Sequence, residues 1–364
     1  MTGFAFNRSH NDSILRDEVL AAQPWLAPPA QQVEDGRMRM RIQVVLALAA
    51  VIALALGKAD TAAQPPHAPA RWMPPRTADG QPDLQGVWTN ATITPFERPE
   101  TLRDREFLTA AEAAALERQA ANRRDEEAPP RQGDVGNYNQ FWFDSGERVV
   151  STRRTSLVID PADGRVPLRP EGEAARKHAS AHESDSYEFM SVWDRCITRG
   201  VPGGMFPAGY NNAYQIVQSP GYVVIHYEMI HEPRIIPVDG RPHLPSPVRS
   251  WNGDSRGRWD GNTLVVDTTN YNNKGWIATS AAAGRIKGIP QTESLHVVER
   301  FTPIDANTID YQATLDDPAM FTRPWTVAIP LHRDSGYRIY EYACHEGNRA
   351  IENILRGARA HETK

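Results

Sequence analysis

Beyond residue 149 the chain alternates apolar and polar positions with a period of two, and turn residues interrupt the pattern every few positions. Alternation at that period is the signature of half-buried strands. It predicts strands over 213–218, 221–230, 234–238, 257–259, 263–269, 294–302, 308–315, 325–331 and 337–342. Short turns separate them: Asp239-Gly240, Asp260-Gly261-Asn262, 303–307 and 332–336. Segment 149–160, a turn at 161–164 and a return over 165–168 add an earlier hairpin. With no helical period between strands, the pattern is that of an antiparallel meander. For about ten such strands an up-and-down barrel, lipocalin-like, or a strongly curved sheet is the economical closure, because it leaves no long edge.

Two stretches carry a helical period instead. Residues 108–127 (LTAAEAAALERQAANRRDEE) open on Thr109 with Glu112 three positions on, a capping box, and Ala and Leu fill the body. A shorter helix is expected over 348–360. Between 199 and 212 the run RGVPGGMFPAGYNN holds too many glycines and prolines for any regular element.

The strand faces separate ordinary positions from unusual ones. On 308–315, Ile309, Tyr311, Ala313 and Leu315 share one face and Thr308, Asp310, Gln312 and Thr314 the other, as a strand with one wet side requires. Strand 221–230 instead has Val223, Ile225, Tyr227 and Met229 on one face and Tyr222, Val224, His226, Glu228 and Ile230 on the other, so it reads as buried on both sides. Glu299 falls among Leu295, Val297 and Phe301, and Glu341 follows Tyr337 and Ile339 on one face. A buried carboxylate needs a partner. Arg234, Arg249, Arg258, Arg300 and Arg323 are the candidates. Ion pairs closing the barrel are one explanation, and groups lining a ligand cavity are the other.

The N-terminal part has a different character. Residues 38–63 have two early arginines, a 15-residue apolar run over 42–56 and an Ala-rich end, the layout of a secretory signal peptide. That run is short of the ~20 residues a spanning helix needs, so contact with a membrane is expected only through an uncleaved leader. Residues 1–37 are polar and unpatterned, which reads as a misplaced start or a disordered leader; 64–82 read as a Pro-rich linker and 83–364 as one β-rich domain.

The 29 prolines, 25 glycines and 9 tryptophans reinforce the turn-rich β reading. Net charge is −5, and residues 1–63 hold equal numbers of acidic and basic side chains, so it is −5 with or without them. That balance supplies no basic face for a nucleic-acid partner. The two cysteines, Cys196 and Cys344, can pair only with each other within the chain, and an oxidising compartment would let them do so.

Candidate chemistry concentrates in 221–271. His226 and Glu228 form a potential proton-transfer pair if a cavity desolvates them. His345, Asp254 and Arg258 are supporting candidates, and Tyr210, Asn211, Tyr222, Trp251 and Glu299 are candidate ligand contacts. The spacing His226-x-Glu228-x-x-His231 does not match the helical zinc-protease pattern. A His/Glu metal site would need His345 and Glu346 brought alongside, so no metal or cofactor is assigned. Ser255 lacks the flanking glycines of a nucleophile elbow.

Several segments carry a resemblance. Gly86-Val87-Trp88 resembles the first strand of lipocalin-like barrels. Asp83 to Trp88, Pro220 to Val224, the run GDSRGRWDGNTLVVDT over 253–268, His296 to Phe301 and EYACHEGN over 341–348 resemble a family of exported bacterial proteins, across residues 76–360. The resemblance implies export and the extent of the folded chain, and carries over no catalytic residue. The expected function is an exported enzyme of lyase, isomerase or hydrolase type, acting by acid/base chemistry on a small, largely apolar molecule in the β core. The alternatives are a non-catalytic lipocalin-like small-molecule binder and a structural or interaction protein without a cavity, which a filled barrel would favour. The sequence leaves the oligomeric state open.

Overall fold

The computed structural model describes residues 72–125 and 144–362. The expected leader and signal peptide lie outside them. The described chain is mainly β, with ten strands: β1 (Gly86–Thr89), β2 (Val158–Asp160), β3 (Ala213–Ser219), β4 (Tyr222–Tyr227), β5 (Glu232–Pro237), β6 (Asp254–Asp260), β7 (Thr263–Thr269), β8 (His296–Asp305), β9 (Thr308–Asp316) and β10 (Trp325–Arg333). Three α-helices accompany them: α1 (Ala110–Asp125), α2 (Pro170–Ala181) and α3 (Ala350–Glu362). No helix among the described residues is long and apolar enough to cross a membrane.

The strands form one antiparallel sheet in the order β5-β4-β3-β1-β10-β9-β8-β7-β6, with β2 also paired to β10. Curvature brings its two ends together. At the seam Arg234 of β5 donates to Ser255 of β6 from Nε at 3.1 Å and from Nη2 at 3.0 Å. A Cβ on Gly257 of β6 would lie 2.6 Å from Val238 and 3.0 Å from Ile236, so only glycine admits this approach. The result is a nearly closed barrel whose seam is bridged by side chains rather than by a backbone ladder.

Alternation filled the interior as expected. Val297, Glu299 and Phe301 of β8, Ile309, Tyr311, Ala313 and Leu315 of β9, and Trp325, Val327, Ile329 and Leu331 of β10 are all buried. Trp88 is buried with them and donates from Nε1 to Leu84 O at 2.9 Å. Large rings therefore occupy the barrel: Trp88, Trp325, Tyr311 and Phe301 rank among the bulkiest fully buried side chains.

The buried carboxylate of Glu299 has found its partner inside the barrel. Arg234 reaches it with both terminal nitrogens, one at 3.0 Å, and also donates to Ser255 and Thr268; the Tyr311 hydroxyl donates to Glu299 Oε1 at 2.9 Å. Burial alone would depress the Arg234 guanidinium, but the carboxylate against it outweighs burial and raises it overall. Burial also pushes the neighbouring Tyr227 phenol up to about 12. Glu299 is thus an ion-pair partner in a filled core. The other candidate arginines serve elsewhere: Arg249 pairs with Glu293, Arg300 with Asp260 and Arg323 with Asp160, while Arg258 is exposed on β6.

Three expectations need correction. Residues 337–342 form no strand, and Glu341 is exposed. By the end of β10 both of its edges are taken, by β9 at His332 and by β1 at His332 and Arg333, so no ladder is left to join. Only 158–160 of the early hairpin are extended into a strand; the preceding residues bond instead to 93–98 and 105–108. In the expected linker, residues 72–82 lie on the domain, with Arg76 Nη2 donating to Asn262 Oδ1 at 3.0 Å in the β6–β7 turn. The capping box of α1 is formed, with Glu112 N donating to Thr109 Oγ1 at 3.2 Å and Thr109 N to Glu112 Oε2 at 2.9 Å.

Candidate functional site

One end of the barrel, where β1 and β4 finish and β3 and β5 begin, is covered by the Gly/Pro run after residue 199. Close packing explains its composition. A Cβ on Gly203 would collide with the carbonyl of Ile277, and one on Gly204 would lie 3.1 Å from the Tyr227 ring. Asn90 ties this cover to the barrel, donating from Nδ2 to Met205 O at 2.7 Å and to the Tyr214 hydroxyl. Asn212 holds the loop shut on itself, accepting from Ala208 N at 2.8 Å and returning a bond to Ala208 O at 3.0 Å.

The chain beyond β10 returns to the same end. Cys344 is disulfide-bonded to Cys196, with Cα atoms 5.6 Å apart, the ordinary spacing for such a bridge. The expected pairing is therefore present, and it fastens the C-terminal segment to the cover. Tyr337, on that segment, donates its hydroxyl to Glu228 Oε1 at 2.8 Å.

Glu228 is the focus of this region. β4 stops at Tyr227 and Glu228 takes helical dihedrals (φ −64°, ψ −47°), so strand alternation no longer governs where its side chain goes. The carboxyl is 0% exposed. Asn211 Nδ2 and the Tyr337 hydroxyl both donate to Oε1 and the Tyr340 backbone N–H also acts on the carboxyl, while Oε2 is buried without a close hydrogen-bond partner. No cation pairs with it among the described residues, and burial raises its pKa above the usual carboxylate range. Burial and then the bond to Glu228 likewise raise the pKa of the Tyr337 phenol.

The turn that follows is strained. Ile230 (φ 64°) and His231 (φ 56°) sit in the left-handed region in succession, a conformation a β-branched residue seldom adopts. Strain of this kind costs about 1–3 kcal/mol per residue and clusters at functional sites. A second, half-buried carboxyl closes the turn: Glu232 accepts from Thr198 Oγ1 and Asn252 Nδ2, each at 2.6 Å, and desolvation raises its pKa too.

The sequence-derived candidates divide accordingly. Asn211 and Glu228 are joined directly, and the Tyr210 ring lies 5.9 Å from that of Trp193. His226 stays on the outer face of β4, its ring 4.5 Å from His231, and carries no hydrogen bond to Glu228 among the described residues. Burial and the neighbouring imidazole lower its pKa. The break in alternation at Glu228 is what separates the two. His345 is exposed on the C-terminal segment. Tyr222 stacks under Arg241 and accepts a bond from it at 3.1 Å, and the Trp251 ring lies under Arg195 at 5.9 Å.

Asp254, itself buried, belongs to a chain of bonds linking β6 to β8. His243 Nδ1 meets Asp254 at 2.9 Å and its Nε2 meets Asp267 at 3.0 Å; Asp267 in turn meets His296 Nε2 at 2.9 Å. Leu244 N and Arg256 also bond Asp254, so the array pins the loop after β5 to the barrel wall. Among the described residues no group of three or more His, Cys, Asp or Glu is arranged to hold a metal ion.

Sequence reasoning missed Tyr337, Arg199 and His243. Tyr337 was placed in a strand, and the loop position of Arg199 gave only composition to work with. An arginine set in an apolar Gly/Pro run, with no acid within four residues on either side, was the signal available for Arg199. Comparison with protein-family models, with curated proteins and with solved structures finds no match. The barrel-shaped fold is compatible with binding a small molecule.

Proposed function

We propose that this is an exported enzyme of the lyase, isomerase or hydrolase type, working by acid/base chemistry on a small molecule at the covered end of the barrel, with Glu228 as the proton-transfer group. One observation carries the reading: a fully buried carboxyl with no cation among the described residues, held through one oxygen by Tyr337 and Asn211, the other oxygen lacking a close hydrogen-bond partner. Two donors on Oε1 leave Oε2 as the oxygen that carries the proton. A carboxyl with a raised pKa holds its proton to higher pH than an ordinary carboxyl and can give it to a reacting atom, then recover it from substrate or water. The strained turn at Ile230 and His231 and the packed barrel interior favour the end of the barrel over its centre. The disulfide and the leader over 38–63 support an oxidising compartment outside the cytoplasm.

The test is Glu228→Gln, which keeps shape and removes the proton. Small molecules co-purifying with each form are compared by mass spectrometry. An enzyme gives a molecule held unconverted by the variant and turned over by the wild type. Recovery of the same molecule, unchanged, from both forms would sink the catalytic reading in favour of a non-catalytic binder.

A further inference from the structure

Arg199 is 3% exposed, and its Nε and Nη2 are buried without a hydrogen-bond partner. These two nitrogens form the side-on fork of the guanidinium, the edge that grips a carboxylate with two parallel bonds. The same protein shows the fork in use elsewhere, on Arg241 and Arg359 and in two better-buried pairs. Arg176 gives Nε and Nη2 to Glu173 at 3.1 and 2.7 Å, and Arg285 gives the same pair to Glu97 at 3.0 and 2.6 Å. On Arg199 the whole edge is vacant. Glu232, the carboxylate that approaches residue 199, takes its backbone N–H and is otherwise bonded to Thr198 and Asn252.

Among the described residues, the groups that act on the guanidinium are aromatic. It lies 5.4 Å from the centroid of the Trp193 ring, whose other neighbour is Tyr210 at 5.9 Å. Its electrostatic neighbours are the phenols of Tyr214, Tyr210 and Tyr342, and burial lowers its pKa. An arginine buried without an anion is a costly arrangement for a structural residue, since removing its water is not repaid by a counter-charge.

We propose that Arg199 anchors an anion site beneath the disulfide-fastened cover, and that its ligand is a small aromatic carboxylate. The carboxylate takes the Nε/Nη2 fork, and the ring lies among the aromatic side chains that surround the guanidinium. This goes beyond the role given to Glu228 and holds whether or not that residue transfers protons.

The probe is benzoate, read by thermal unfolding of the full chain with its disulfide intact, at constant ionic strength in chloride. At ten times its dissociation constant benzoate is expected to raise the melting temperature by roughly 3 °C. Benzamide, the same ring without the charge, is expected to leave it unmoved. Arg199→Met should melt no lower than wild type in chloride, because an unpaired buried charge has been removed, and should lose the benzoate shift; Glu228→Gln should keep it. If Arg199→Met does not fold, Arg199→Lys takes its place: it keeps the charge but not the fork, and its shift should be reduced. The proposal is overturned if wild type shows no benzoate shift, if benzamide shifts it equally, or if the Arg199 variant that folds keeps the full shift.

Discussion

The Tyr337 hydroxyl donates to Glu228 across 109 residues of sequence, from a segment that has left the barrel to a residue at the end of β4. The bond exists because the Cys196–Cys344 disulfide brings the C-terminal segment back to the barrel end that β4 reaches. It occupies one carboxyl oxygen, while the other is buried without a hydrogen-bond partner.

Burial raises the pKa of Glu228, so the folded state holds a proton that the unfolded chain releases near the ordinary value of about 4.3. Stability is then greatest while both states are protonated and falls as pH rises from that value through the folded pKa. Glu228→Gln removes this dependence. The stability of the variant relative to wild type should increase with pH across that window and level off above it, measured by chemical unfolding at a series of pH values. A constant difference would mean that Glu228 does not titrate as its burial implies.

Inside the barrel, Glu299→Gln leaves Arg234 charged and buried against a neutral amide. A loss of about 3–5 kcal/mol is expected for breaking such a pair. Replacing both partners with apolar residues, as in Arg234→Met with Glu299→Leu, should recover most of it. Denaturant midpoints measured at unchanged slope decide the matter, and a double variant as unstable as the single one would contradict a simple ion pair.

The disulfide joins residues 148 apart, and closing so long a loop contributes about 5 kcal/mol in the chain-entropy model. Reduction, or Cys344→Ser, should lower the melting temperature and should also release Tyr337 from Glu228. The pH signature of Glu228 should therefore change in the reduced protein. Equal melting temperatures with and without reductant would show that the bridge is absent in solution.

Much of the architecture was legible from local pattern. Period-two alternation located β3 to β10 within a few residues, because each strand has one face in the core and a shifted register would turn that face to water. The capping box set the start of α1, and the two cysteines had only each other. The burial of Glu299 also followed from alternation, although which of five arginines would meet it did not.

The site was less accessible to that reasoning. Alternation put His226 and Glu228 on one face, and it failed there because β4 ends at Tyr227 and the backbone turns into helical dihedrals. His226 was left outside against His231, and Glu228 went into the covered end. Asn211 and Tyr337 reach Glu228, and Thr198 and Asn252 reach Glu232, from loops and chain returns, whose paths are set by packing and by the disulfide rather than by any local period. The sequence by itself determined where the strands run and which faces are apolar, since that information repeats every second residue. Only the tertiary structure decided which ionisable groups lose their water together, because that depends on contacts between separate segments, as far apart as the 109 residues between Glu228 and Tyr337.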